Sequence, residues 1–418
     1  MDRVKGKIRR ALIGAMLALA ASPAAAASLN ILYRFTGGLD GGYPNGPLVR
    51  DAEGNLFGTT SAGGEAEGYG YGVAYRLSPT ASGNWQETVL HRFGMAPSNS
   101  PPTSALTLDS QGALYGSAYA GGAGGYVFRL APGPNGGYRY TTLFSFSSTS
   151  PRDGLGPLGP LLLDASGDVI GTTQYGGRSS GPDPCDCGVV YSLAPTTQSG
   201  GWPETIRYAF GGLPNSSNPE FGVTLGPDGD YYGLAAEGGT GPCLDGSGVQ
   251  VVGCGTLFRL RPSGTTWIET VLFSFPRVQP SGPYVFGADG ALYGIDIPDA
   301  IRLVPPKDGV GAWRREVIYQ FNGAVPGQPN GALVFDPAGN LYGGTFATTP
   351  TASSVVFELS PPTGGGASWT AKTLVTLAKV EGGTGLQGGL IRDREGVLYG
   401  TVGFTASSPH GFIFSVTP

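Results

Sequence analysis

The sequence predicts an all-β fold, a seven-bladed β-propeller of four-stranded blades, closed by the N-terminal strand completing the last blade. Three observations predict it. One octapeptide recurs seven times, and each copy sits in a unit with room for four short strands. The strand missing from the last unit stands at the other end of the chain. Four-stranded units repeating every few tens of residues are the signature of propeller blades.

The octapeptide occupies residues 51–58 (DAEGNLFG), 109–116 (DSQGALYG), 164–171 (DASGDVIG), 226–233 (GPDGDYYG), 287–294 (GADGALYG), 336–343 (DPAGNLYG) and 393–400 (DREGVLYG). Successive closing glycines lie 49 to 62 residues apart. A short apolar run, such as Leu161-Leu-Leu163, precedes the octapeptide and reads as the first strand. The D-x-x-G turn follows, where Asp bonds the backbone two residues on and Gly tolerates positive φ. The second strand starts at the Leu-Tyr-Gly element. After a Gly-rich loop comes a third strand, as in 73–77 (VAYRL), 126–130 (YVFRL) and 256–260 (TLFRL). A fourth begins at an aromatic residue, as in 85–93 (WQETVLHRF) and 267–275 (WIETVLFSF), with apolar residues alternating at the strand period of two. This fourth strand follows only six of the seven octapeptides. Its likeness is residues 29–35 (LNILYRF), which can pair with residues 411–416 and remove an open sheet edge. An open solenoid would gain nothing from such an offset.

Composition agrees with this reading. Glycine reaches 74 and proline 35 of 418 residues, and only 13% of residues are charged. Such richness in Gly and Pro can signal disorder, but 40% hydrophobic and 11% aromatic residues suffice to fill a core. Residues 1–27 read as a signal peptide. Lys5, Lys7, Arg9 and Arg10 precede an apolar stretch at 11–21, too short to span a bilayer, and residues 22–27 offer an A-x-A cleavage site. The propeller is expected over residues 28–418. Removal of the leader takes five basic residues and one acidic, leaving 20 Lys+Arg against 29 Asp+Glu, a net charge of −9. An acidic surface repels phosphate backbones, which argues against nucleic acid as a partner. Nothing after the leader approaches membrane-spanning length, and a monomer is expected.

The combined pattern D-x-x-G-x-L-Y-G-T-T…G-G…G-x-V-F-x-L…W-x-E-T-V-L-x-x-F resembles that of choice-of-anchor tandem repeat GloVer-containing proteins, the Gloeo/Verruco repeat. The resemblance covers residues 29–418. Residues 51–72 and 164–188 match best, and the unit around 287–304 is the most degraded. The family implies export and, in many members, a C-terminal sorting anchor. The pattern departs here, with no such segment after residues 412–418, so a secreted or periplasmic form is expected. The family carries no defined activity, and no functional residue is transferred from it.

Four cysteines, Cys185, Cys187, Cys243 and Cys254, lie in second-to-third-strand loops of adjacent units. In an exported chain an even count suggests disulfides. Cys243–Cys254 is expected as one, while Cys185 and Cys187 could form a tight pair or the four could pair across loops. Their spacing fits zinc poorly, and no metal site is assigned. With only two histidines, His91 and His410, Ser/His/Asp and Cys/His catalytic sites are hard to build. The Gly-x-Gly strings join strands and do not open helices, so they carry no phosphate reading. Nothing names a cofactor.

Recurrent residues build blades, and functional ones should break the repeat. The longest, most variable segments are the second-to-third-strand and fourth-to-first-strand loops, expected to share one face. Candidate binding residues there are Asp40, Tyr43, Glu67, Tyr69, Tyr71, Tyr175, Arg178 and Glu237. Tyrosine with acidic side chains suits a polyhydroxylated or peptide ligand. We expect a non-enzymatic module binding protein or polysaccharide at this face. A carboxylate-dependent hydrolase or lyase at the channel mouth, or a purely structural envelope protein, are the other two readings.

Overall fold

A computed structural model describes residues 26–65, 70–94, 100–119, 124–177, 185–196, 201–244, 250–264, 266–276, 280–309, 311–347, 353–363, 368–377, 385–403 and 409–418. Seven four-stranded antiparallel sheets are present, one per octapeptide. Blade 1 consists of Gly42–Arg50, Leu56–Ala62, Val73–Pro79 and Trp85–Arg92, in that order. Blades 2 to 6 repeat this order, with second strands Leu114–Ala118, Val169–Tyr175, Tyr231–Ala235, Leu292–Asp296 and Leu341–Phe346.

Blade 7 takes three strands from the C-terminal end, Leu386–Arg392, Leu398–Val402 and Phe412–Thr417, and its fourth from the N-terminal end, Ser28–Arg34. The register runs from Ser28 opposite Thr417 to Arg34 opposite Phe412. The seam to blade 1 repeats contacts seen at other junctions. Thr401 Oγ1 donates to the Gly46 carbonyl at 3.1 Å, Arg50 lies 3.8 Å from Asp393, and the Phe35 and Tyr75 rings meet edge-on at 5.1 Å. The same aromatic contact recurs at 5.0–5.2 Å between Phe93 and Phe128, Phe146 and Tyr191, Phe210 and Phe258, and Phe321 and Phe357. At five of the seven junctions the end of the fourth strand thus plants a buried ring against the third strand of the next blade; Phe275 meets Tyr284 of the first strand instead, and Leu377 stands at the sixth position.

The repeated residues explain one another. Asp51 Oδ1 accepts from the Asn55 backbone N–H at 2.8 Å and so closes its turn; Asp109, Asp164, Asp336 and Asp393 do likewise. The Tyr of Leu-Tyr-Gly donates to the second carboxylate oxygen, as Tyr342 does to Asp336 at 3.0 Å and Tyr399 to Asp393 at 2.9 Å. The units opening at Gly226 and Gly287 lack that Asp, and an Asp two residues on replaces it. Tyr232 bonds Asp228 at 2.7 Å and Tyr293 bonds Asp289 at 2.9 Å.

The closing glycine makes room for a ring. A Cβ on Gly116 would stand 2.5 Å from Phe128 Cζ, and Gly343 and Gly400 face Phe357 and Phe414 in the same way. Blade 5 shows the rule by exception. Its third strand carries Ile301 where the others carry Tyr or Phe, and Tyr284 of its first strand fills the space above Gly294 instead. Exchanging one large and one small side chain across a core conserves volume.

Two details differ from the expectation. The aromatic that opens the fourth strand precedes the hydrogen-bonded ladder in blades 3, 5 and 6, which begin at Glu204, Arg314 and Thr370. These rings pack across the neighbouring junction, as Trp202 does on Tyr115 and Trp369 on Tyr293. The first strands of blades 2 and 4 are short, Thr107–Leu108 and Val223–Leu225. No helix among the described residues is long and apolar enough to cross a membrane.

Candidate functional site

The antiparallel order puts second-to-third-strand loops and fourth-to-first-strand loops at one end of the blades, and contacts between them follow. The Tyr43 backbone N–H donates to the His410 carbonyl at 2.9 Å, and their rings meet edge-on at 6.1 Å. Farther round, Ser216–Ser217 pairs with Glu237–Gly238 as a two-stranded ribbon. The loops therefore form one continuous face.

The candidate residues divide on this face. Asp40 belongs to it, but its carboxylate is already used. It accepts from Tyr33 Oη at 3.0 Å, from the Thr36 N–H at 2.9 Å and from Thr36 Oγ1 at 2.5 Å, which clips the loop shut. Tyr71 turns inward, half-buried against the cluster containing Phe93. Glu237 is exposed. Tyr43 and Tyr175 are 39% and 38% exposed. Glu67, Tyr69 and Arg178 lie outside the described residues. Cys243–Cys254 and Cys185–Cys187 are disulfides, with Cα–Cα distances of 5.0 and 5.2 Å, so each loop is tied within itself. His91 is a packing residue. It stacks on Tyr140 at 4.1 Å, and burial lowers its pKa to about 4.

Three residues absent from the candidate set form a polar chain across three blades. Tyr119 Oη donates to Gln174 Oε1 at 2.8 Å, and Gln174 Nε2 donates to Glu220 Oε1 at 2.5 Å. Tyr119 follows the second strand of blade 2, Gln174 lies one residue before the end of that of blade 3, and Glu220 precedes the short first strand of blade 4. Gly156, at φ +66°, leaves the space that the Tyr119 ring occupies. Burial raises the Glu220 carboxyl above its ordinary range; the bond from Gln174 opposes this and the charge of Glu237 adds to it. Tyr119 is raised too, by burial and then by Tyr175 and Glu220. A sequence signal exists for Glu220. Six residues before the octapeptide the seven units read Asn45, Thr103, Leu158, Glu220, Ser281, Asn330 and Gln387, a single carboxylate. Asn45 and Asn330 at that position bond the next blade, at Pro102 O (2.9 Å) and Leu386 O (3.3 Å).

Apolar exposure completes the picture. Eight large apolar side chains are exposed among the described residues, and five of them, Leu39, Tyr43, Tyr175, Leu213 and Phe346, stand on the loop-bearing face. Exposed apolar groups gathered on one face mark interaction surfaces, whereas single scattered ones need no explanation.

The chain matches the Gloeobacter/Verrucomicrobia repeat over residues 19–181 and again over 66–299, together more than half of its length. No curated protein sequence matches it. Among solved structures it is similar to virginiamycin B lyase from Staphylococcus aureus, at 16% identity and a TM-score of 0.53, covering 94% of this chain and 99% of that one. A Lactobacillus plantarum protein aligns at 12% identity and a TM-score of 0.48, covering 82% and 95% of the two chains. A luciferin-regenerating enzyme aligns at 13% and 0.46, covering 78% and 93%. Identity with the lyase is low enough that the likeness speaks for the fold alone.

Proposed function

Given that the chain belongs to the Gloeobacter/Verrucomicrobia repeat family, we propose that it is an exported, non-enzymatic binding module that engages a protein or a glycan on its loop-bearing face. The observation that carries this reading is that Leu39, Tyr43, Tyr175, Leu213 and Phe346 are exposed on the loop-bearing end of the blades, the end that also carries the Tyr119–Gln174–Glu220 chain. Aromatic and aliphatic anchors supply most of the energy of a recognition surface, and a few buried polar groups supply orientation. Loops held on a rigid ring suit that task. The paired cysteines fit an oxidising compartment, which supports export.

A glycan and peptide array probed with the mature chain tests the proposal. Binding should fall by about tenfold or more in a Tyr43→Ser, Tyr175→Ser, Leu213→Ser variant, the loss expected when hot-spot side chains are removed. Equal binding by that variant would refute the assignment of the face. One observation favours a second reading, a carboxylate-dependent hydrolase or lyase: Glu220 is half-buried and raised, with a second carboxylate, Glu237, acting on it. A raised carboxyl can serve as a general acid. Glu220→Gln separates the two readings, since it would abolish turnover of any bound glycan but retain its binding.

A further inference from the structure

The opposite face, where the D-x-x-G turns lie, holds a second repeated constellation. At three junctions the same four residue types meet: Asp and Tyr of the octapeptide, Arg of the third strand, and Trp of the next blade. They are Asp109, Tyr115, Arg129 and Trp202 between blades 2 and 3; Asp228, Tyr232, Arg259 and Trp313 between blades 4 and 5; and Asp289, Tyr293, Arg302 and Trp369 between blades 5 and 6. The Tyr and Trp ring centroids are 6.2, 6.0 and 6.1 Å apart. Trp313 is buried at 8% exposure and serves as core. Trp202 and Trp369 are only half-buried, and each borders a groove, of about 640 Å³ at the 2/3 junction and about 400 Å³ at the 5/6 junction.

We infer that these two grooves each hold one hexopyranose unit of a neutral polysaccharide, with Trp202 and Trp369 as stacking platforms and Arg129 and Arg302 as hydroxyl partners. Their volumes lie in the range of small-ligand sites. A pyranose presents an apolar C–H patch with hydroxyls around its rim, which matches a half-exposed indole beside a carboxylate and a guanidinium. In the 2/3 groove Arg129 Nε donates to Tyr115 Oη at 3.0 Å, and Tyr115 in turn donates to Asp109 at 3.2 Å. Arg129 makes no ion pair among the described residues, so its terminal N–H groups remain for a ligand. In the 5/6 groove Arg302 is partly spent on Glu316 (2.5 Å) and Asp289 (3.5 Å), which makes it the weaker site. Each groove carries more acidic than basic side chains, Asp109 and Asp164 with Arg129, Asp289 and Glu316 with Arg302. An anionic sugar would be repelled, which selects a neutral one. This inference is independent of the loop-face reading, because the two sites lie at opposite ends of the blades.

Saturation-transfer NMR on the mature chain with the methyl pyranosides of glucose, mannose and galactose tests it, with methyl glucuronide as the anionic probe. At least one neutral glycoside should receive transfer from the protein. Trp202→Ala with Arg129→Met should weaken its binding by about tenfold, the loss of one platform and one charged donor. Arg302→Met should have a smaller effect, and the loop-face variant Leu213→Ser none. Trp202→Phe keeps a ring in place and should keep most of the binding, which separates loss of the platform from loss of fold. Absence of transfer to all three neutral glycosides, preference for the glucuronide, or binding unchanged in the Trp202→Ala, Arg129→Met variant would each overturn the inference.

Discussion

Gly116→Ala is the substitution whose consequence follows most directly from the packing of a blade. Gly116 has an ordinary negative φ, so the change meets no backbone obstacle. The obstacle is space: the new Cβ would lie 2.5 Å from Phe128 Cζ, 2.9 Å from Cε1 and 3.0 Å from Leu106 Cδ2. Ordinary contact begins near 3.4 Å, so the ring must retreat by about 1 Å. Phe128 is fully buried and already meets Phe93 at 5.2 Å. Overpacking of a closed core costs about 1–3 kcal/mol. Phe128→Leu removes the clashing atoms, and in the Gly116→Ala background it should restore part of that loss. The coupling read from the double-mutant cycle should be about 1 kcal/mol or more, favouring the double variant over the sum of the singles. Urea unfolding of the four proteins measures it through the transition midpoints. Gly211→Ala, where a Cβ meets nothing within 4 Å, is the control and should stay within about 0.5 kcal/mol of the parent. A neutral Gly116→Ala, or strict additivity in the cycle, would refute the packing argument.

Three further outcomes are expected. Burial raises the Glu204 carboxyl to about 8 and that of Glu87 to about 7, from the ordinary 4.5, so the folded state binds more protons than the unfolded one between those limits. Stability should therefore decline as pH rises from about 4.5 to about 8, and Glu87→Gln with Glu204→Gln should flatten that slope in thermal melts. Arg315 bonds Asp296 at 2.6 Å and Asp299 at 3.1 Å, and Asp296 is 4% exposed. Arg315→Ala removes a charged donor from the buried Asp296 and from Asp299 and should cost about 1–3 kcal/mol by urea unfolding. Replacing Cys243 and Cys254 by Ser opens a loop of sequence separation 11 and should cost about 3 kcal/mol on loop-entropy grounds, measured the same way.

The ring was legible in the sequence because each blade repeats the same local bargain of turn, strand period and apolar spacing, so seven copies reinforce one another. The contacts that reach across a ladder or between units were not. Gly116 is locally just a glycine after Tyr115; its reason is a ring 12 residues on, across the ladder. Tyr119, Gln174 and Glu220 sit 55 and 46 residues apart in three units, and no local pattern joins them. Asp40 looked free for a ligand because its partners, Tyr33 and Thr36, are loop neighbours whose geometry only folding defines. Trp202 and Trp369 read as strand openers because the Tyr each one covers belongs to the preceding unit.

The most direct test of the central claim, a ring fastened by its N-terminal strand, is deletion of residues 28–35. The loss strips Phe412–Thr417 of its outer partner and removes Phe35, 4% exposed, from the Tyr75 ring. A buried Phe→Ala alone costs about 3–5 kcal/mol, so the melting temperature should fall sharply. A synthetic peptide of residues 28–35 added in trans should restore it by re-pairing with the exposed edge. A truncated chain that melts at the parent's temperature would contradict the account.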